Sequence, residues 1–228
     1  MDLVGRALGV LHTVAERGLD LALPAACAGC RREGAPLCRE CIPFLDARLE
    51  AEPGVPVGLP AELPPPLLQL EWCAPFTGVT RRALLALKYD GERRLAPLLG
   101  AAVRRWRRVG VGGDLLIPVP ASPDRVRDRG YDQAALIAQG ASRDLRRPVR
   151  HSLERVRATA AQFDLDRASR AANLVAAFSV ANDAGIRDRW VVLVDDVVTT
   201  GATLAACAAA LLEAGALGVS AVTVARER

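Results

Sequence analysis

The chain has 228 residues, is 51% hydrophobic and 25% charged, and carries a formal net charge of +4. That balance describes a globular protein with one sizeable core plus a small appendage, and no apolar run reaches the roughly 20 residues of a membrane span. The mild positive excess permits contact with phosphates or nucleic acid without arguing for either. Arginine carries nearly all of the positive charge, and Lys88 is the only lysine.

Leu3 to Leu23 are apolar at helical spacing, interrupted by Arg6, His12, Glu16, Arg17 and Asp20. Residues 1–24 are therefore predicted to form an amphipathic helix that packs on the protein or on a partner. They lack the basic leader of a signal peptide, so a cytoplasmic location is expected. In that compartment cysteines seldom form structural disulfides.

Residues 25–45 hold two CxxC pairs, Cys27 with Cys30 and Cys38 with Cys41. Each CxxC turn places two thiolates on one side of a metal, and Gly34 and Pro36 in the short spacer bring the second pair round. Four thiolates in tetrahedral array suit a structural Zn²⁺ in a closed site, with no open position for catalysis. A redox dithiol is the rival reading. Arg31, Arg32 and Arg39 flank the knuckle and allow nucleic-acid contact. A folding staple for a module too small for its own core explains it equally. Cys73 and Cys207 read as small buried hydrophobes.

Residues 46–70 form a linker, with prolines and glycines clustered between Glu50 and Pro66. Residues 71–228 form an α/β domain. Arg81 to Ala86 read as helix, leading into Leu87-Lys88-Tyr89-Asp90-Gly91. A second helix is predicted from Arg93 to about Arg107. Its Arg104, Arg105, Arg107 and Arg108 form a basic cluster, read as a solvated face with nucleic-acid contact as the alternative. Leu115 to Val119 are a buried strand ending in Pro120-Ala121-Ser122. Arg125, Arg127 and Arg129 then precede a helix from about Ala134 to Leu145. Val149 to Val156 read as a strand, Arg155 to Ala168 as a mobile loop, and Ala171 to Ala177 as a short helix.

Val191 to Thr203, VVLVDDVVTTGAT, carries the most chemistry. Val191 to Val194 are a β-branched run without alternation, which suits a strand covered on both faces. Asp195 and Asp196 follow at its carboxyl end, where ligands bind in open α/β sheets. Thr199 to Thr203 form a tight turn rich in hydroxyls and N–H groups, with Gly201 free to take positive φ. A helix from about Thr203 to Glu213 points its positive end at that turn and suits a phosphate. Carboxylates that accept hydroxyl protons beside amides that donate to phosphate suit a sugar phosphate. Val219 to Ala225 close the chain as a last strand. Alternating strands and helices predict a parallel sheet with right-handed crossovers.

The run from Val191 to Thr203 resembles the 5-phosphoribosyl-1-pyrophosphate (PRPP) motif of type I phosphoribosyltransferases. The resemblance implies that Asp195 and Asp196 hold the ribose hydroxyls. It also implies that Val197, Val198, Thr199, Thr200, Gly201, Ala202 and Thr203 form the PRPP-binding segment around the 5′-phosphate. The wider set is CxxC…CxxC, LKYDG, IPVP at Ile117 to Pro120, RGYDQA at Arg129 to Ala134, RVRATAAQ, RAANLVAAF and VDDVVTTGATL. Together these resemble the ComF family of competence and DNA-utilisation proteins. That family joins a zinc ribbon to a phosphoribosyltransferase-like domain: a parallel sheet with helices on both faces. Asp132 departs from the Asn that the family often has.

By position, Pro120, Ala121 and Ser122 resemble the pyrophosphate loop. Arg155, Thr159, Gln162 and Arg170 fall in the segment that resembles the covering loop. Lys88, Arg125 and Arg129 are candidates to neutralise a pyrophosphate leaving group. The resemblance implies PRPP with Mg²⁺ as ligand, transfer of phosphoribose to a nucleophile, and work in DNA uptake or salvage of imported nucleotides. The other reading is a non-catalytic module that binds single-stranded DNA beside the uptake machinery. A homo-oligomer is compatible with either.

Overall fold

A computed structural model of the protein describes residues 25–52, 63–156, 177–181 and 185–227. The amphipathic segment 1–24, linker residues 53–62, residues 157–168 of the expected mobile loop, all but the last residue of the short helix expected from Ala171 to Ala177, and Thr159, Gln162 and Arg170 lie outside the described residues.

The centre is a parallel sheet of four strands: β1 (Leu70–Pro75), β2 (Leu115–Pro118), β5 (Trp190–Val198) and β6 (Gly218–Arg226). Their spatial order is β1-β6-β5-β2. Val191 lies between Leu115 on one side and Val219 on the other. Alternate residues of each strand face opposite layers. Leu116, Val192, Val194, Val222 and Val224 enter one core, while Leu115, Ile117, Val191, Leu193 and Val219 enter the other. Both faces are therefore dry, which is why these strands read as unbroken apolar runs.

The first layer holds α1 (Gly78–Tyr89), α2 (Ala96–Ala102) and α5 (Gln133–Leu145). The second holds α6 (Ala202–Glu213) and a small antiparallel pair, β3 (Leu153–Arg155) with β4 (Phe178–Val180). The remaining short helices are α3 (Arg105–Val109) and α4 (Pro123–Arg129). No helix among the described residues is long and apolar enough to cross a membrane. The architecture is a parallel sheet with helices on both faces and a four-cysteine ribbon at its start.

Three elements differ from the sequence reading. The strand β1 went unseen at the linker's end because Glu71 interrupts its apolar pattern; Glu71 is buried and pairs with Arg105. The single helix expected from Arg93 to Arg107 is a 3₁₀ turn, Arg93–Leu95, followed by α2 and α3. Pro97 starts a new helix at its first turn. The N–H groups of Val103, Arg104 and Trp106 then bond three residues back, tightening the chain and turning Arg105 inward. The strand expected from Val149 to Val156 splits. Val149 makes one parallel bridge to Leu116, and the chain then leaves the sheet to pair with β4.

Arg104, Arg107 and Arg108 of the arginine cluster are exposed as expected, but Arg105 leaves the solvated face. Arg105 is fully buried, and its guanidinium donates to Glu71 and to the carbonyls of Arg48, Ala51 and Glu52. Arg104 pairs with Asp46, Arg108 with Glu50, and Arg107 donates to the Asp144 carbonyl. Arg104, Arg105 and Arg108 hold the start of the linker in place.

The ribbon is not a detached module. Cys27, Leu37, Cys41 and Leu45 belong to the same apolar core as Val79, Ala83 and Leu84 of α1. Arg82 on α1 donates to the Gly29 carbonyl at 2.7 Å, and the Thr80 hydroxyl to the Phe44 carbonyl at 3.2 Å.

Candidate functional site

The strand β5 runs through both carboxylates and ends at Val198. Asp195 is half-buried and Asp196 is buried. Each accepts from the next backbone N–H, Asp195 Oδ1 from Asp196 at 2.8 Å and Asp196 Oδ1 from Val197 at 2.7 Å. The turn then exposes Thr199 and Thr200 and enters α6 through Gly201 at φ 80°. A Cβ on Gly201 would stand 2.8 Å from Pro64 and in a disfavoured region of backbone space, so glycine is required on both counts. Asp195 and residues Thr199 to Thr203 line one small cavity of about 50 Å³ at the amino end of α6. The structure thus gathers one carboxylate, the threonine turn and a helix N-terminus at a single spot.

Lys88, in the last turn of α1, reaches the other carboxylate. Its Nζ stands 2.5 Å from Asp196 Oδ2, an ion pair without the alignment of a hydrogen bond. Both side chains are largely shielded, at 18% and 7% exposure, so the lysine is committed to the acid pair. Lys88 also lines a cavity of about 460 Å³ with Arg125 and Arg129, so the three leaving-group candidates share one space.

Pro120 and Ala121 follow β2 and line a different cavity of about 580 Å³, together with Asp132 and Arg155. No residue lines both cavities; α4 contributes Arg127 to one and Arg125 and Arg129 to the other. Ser122 caps α4 by accepting from the Arg125 N–H. Asp132 accepts from the Ala121 N–H at 2.8 Å with one oxygen and from the Ala135 N–H at 3.1 Å with the other. A carboxylate can take both bonds at once, whereas an amide has one acceptor oxygen. Arg155 lies over the Phe178 ring at 5.4 Å.

Removal from water and the adjacent Asp196 carboxylate push the Asp195 carboxyl well above its ordinary value of 3.8; Lys88 opposes this. The native state therefore binds this proton more tightly than the unfolded chain does. Stability from this group is present below the ordinary value and is lost as pH rises through the raised one. Asp195→Asn is accordingly expected to raise the melting temperature at pH 7. The gain should shrink as pH falls toward about 4, as thermal melts across that range would record.

At the ribbon, one sulfur from each of the four cysteines lies within 4.8 Å of the others. Burial raises the Cys27 thiol, yet N–H groups of Cys38, Cys30 and Gly29 outweigh it and hold it at about 6. Burial and the neighbouring thiols push Cys41 up. A cluster of soft ligands that resist sharing negative charge suits a divalent cation. Gly29 keeps it open, since a Cβ there would lie 2.6 Å from Cys41 Sγ.

The sequence reading passed over Glu71 with Arg105, and over the two tyrosines beside Lys88. An acid inside an apolar run, LEWCA, was the available sign of the first.

No protein-family model matches the chain. It is 32% identical over 203 residues to DNA utilization protein YhgH of Escherichia coli O6:H1, covering 86% of each protein. It is 42% identical over 117 residues to Competence protein F of Haemophilus influenzae, about half of each chain (50% and 51%). Competence protein ComFC of Bacillus subtilis is 35% identical over 113 residues, 49% of this chain and 44% of that one. Among solved structures, the glutamine PRPP amidotransferase of B. subtilis complexed with ADP and GMP aligns at 22% identity and a TM-score of 0.41. That alignment covers 57% of this chain and 26% of the other.

Proposed function

This chain belongs to the ComF family, and from that premise we propose that it binds PRPP or a related phosphoribosyl compound and serves the uptake or use of external DNA. The observation that carries the ligand reading is the common cavity of Asp195 and the Thr199–Thr203 turn at the start of α6. The turn's N–H groups and the helix end receive the 5′-phosphate. Asp195 and Asp196 accept from the ribose hydroxyls, and Lys88 keeps one of the two carboxylates compensated while no ligand is present. Magnesium comes with the pyrophosphate, and the carboxylates suit a hard cation as well as a hydroxyl. The proposed reaction class is phosphoribosyl transfer: the bond from ribose C1 to pyrophosphate breaks and one from C1 to an acceptor forms. Cys27, Cys30, Cys38 and Cys41 hold a structural Zn²⁺.

Isothermal titration with ribose 5-phosphate and with PRPP, with and without Mg²⁺, tests the ligand reading. Asp195→Asn with Asp196→Asn should weaken binding by about 10-fold or more, through loss of charge-assisted hydrogen bonds. Gly201→Val should abolish it. Equal affinity for wild type and both variants removes the assignment. A deletion strain of a competent host, complemented by wild type or by the double variant, tests the biological role. Transformation should return only with the wild type.

Of the four arginines proposed to grip a strand, only Arg105 is buried; Arg104, Arg107 and Arg108 stay exposed, each with a surface contact inside the protein.

A further inference from the structure

The cavity beside the acid pair carries more than cations. Lys88, Tyr89, Arg125, Asp128, Arg129 and Tyr131 form its wall, and the chain's two tyrosines both stand here. Tyr89 is 70% exposed, an uncommon position for a large ring, and the Arg129 guanidinium lies over it at 5.1 Å. Tyr131 is buried, with its hydroxyl donating to the Leu87 carbonyl and Arg93 over its ring at 4.5 Å.

Cations in a helix's last turn complement the helix dipole, which accounts for Lys88 in α1 and Arg129 in α4. It does not account for Arg125. That residue lies in the first turn of α4, against the dipole, exposed, and without an ion pair among the described residues. A cation so placed gains nothing from the helix dipole, and it lines the cavity. Arg125 and Arg129 can neutralise a phosphate, and Tyr89 offers a face to an aromatic ring. Asp128 would repel a bare anion. It has a role if the anion comes with a hydrogen-bond donor, such as a sugar hydroxyl or a ring N–H.

We propose that this cleft binds a nucleotide, with its phosphate on Arg125 and Arg129, its base against Tyr89 and a donor group on Asp128. The cleft joins the acid pair through Lys88. Its role as the place of a second ligand rests on the phosphoribosyl reading above, while nucleotide binding itself stands apart from it.

Titration of the full-length protein with thymidine 5′-monophosphate, inorganic phosphate, thymidine and a ten-residue oligothymidylate tests the proposal. The mononucleotide should bind more tightly than phosphate or thymidine. Tyr89→Ala and Arg125→Ala should each weaken it by about tenfold, the scale of one lost stacking or charged contact. Both side chains are exposed, so the variants should melt as wild type does. Oligothymidylate binding with the same dependence on both residues identifies the ligand as a strand; binding of the mononucleotide alone identifies a free nucleotide. Nucleotide affinity unchanged in both variants, or absent in the wild type, would overturn the proposal. Ribose 5-phosphate titrated into the same variants should bind as to wild type. That separates failure of the cleft from failure of the phosphate turn.

Discussion

Arg105→Met is expected to destabilise the protein by about 3–5 kcal/mol, the scale for removing one partner of a buried ion pair. Arg105 and Glu71 are both essentially inaccessible, at 0% and 1% side-chain exposure, and meet at 2.9 Å. Glu71 has a further contact at 3.2 Å from the Gln69 amide. The substitution removes the counter-charge that Arg105 supplies to the Glu71 carboxylate inside the fold. It also strips a donor from the carbonyls of Arg48, Ala51 and Glu52, so the linker should lift from the sheet. The double variant Arg105→Met with Glu71→Leu should recover much of the loss, because an apolar pair of similar volume carries no desolvation cost. Urea unfolding of the two single variants and the double gives the coupling directly. A loss under about 1 kcal/mol for Arg105→Met would show that water reaches Glu71 once the arginine is gone.

Removing the metal should have the other large effect. Structural zinc contributes on the order of 10 kcal/mol of apparent binding free energy in isolated fingers, and here that energy acts on a shared core. Read from its sequence as a separate site, the ribbon is expected on metal loss to unfold more than the α/β domain does. Its contacts with α1 argue for a joint transition. Cys41 and Leu45 pack in the core that holds Leu84 and Leu87, and Arg82 and Thr80 bond to ribbon carbonyls. Metal analysis should find one zinc per chain, reduced in Cys27→Ser. Chelation should lower the melting temperature of the whole described domain in a single step. Two separate transitions, with the upper one unmoved, would instead restore the picture of independent modules. Since α1 also carries Lys88, chelation should weaken ribose 5-phosphate binding as well, through the Lys88–Asp196 pair.

Local chemistry wrote itself into short stretches of sequence. The double CxxC, the acid pair, and the threonine-glycine turn each act through residues close in the chain, so their types and spacing predicted where the thiols converge and that an acid and the threonine turn lie together. The buried strands were legible for a similar reason. A strand covered on both faces needs apolar side chains at every position, and Val191 to Val194 have them.

What depended on distant partners was not legible. Arg105 reads as one of four arginines in a helix. Only the approach of β1 and the linker's carbonyls makes it a buried keystone. Glu71, the second residue of a strand that the sequence reading passed over, went unread for want of the same partner. Arg125, Arg129 and Lys88 are grouped in the sequence only by resemblance, as candidates for one leaving group; folding adds both tyrosines to the cavity that they share. The ribbon's attachment to α1 is of the same kind. Sequence by itself determined the elements and chemical groups whose interactions lie within a few residues. Tertiary structure alone decided which charges are buried and which cations share a space, because those outcomes depend on contacts between residues tens of positions apart.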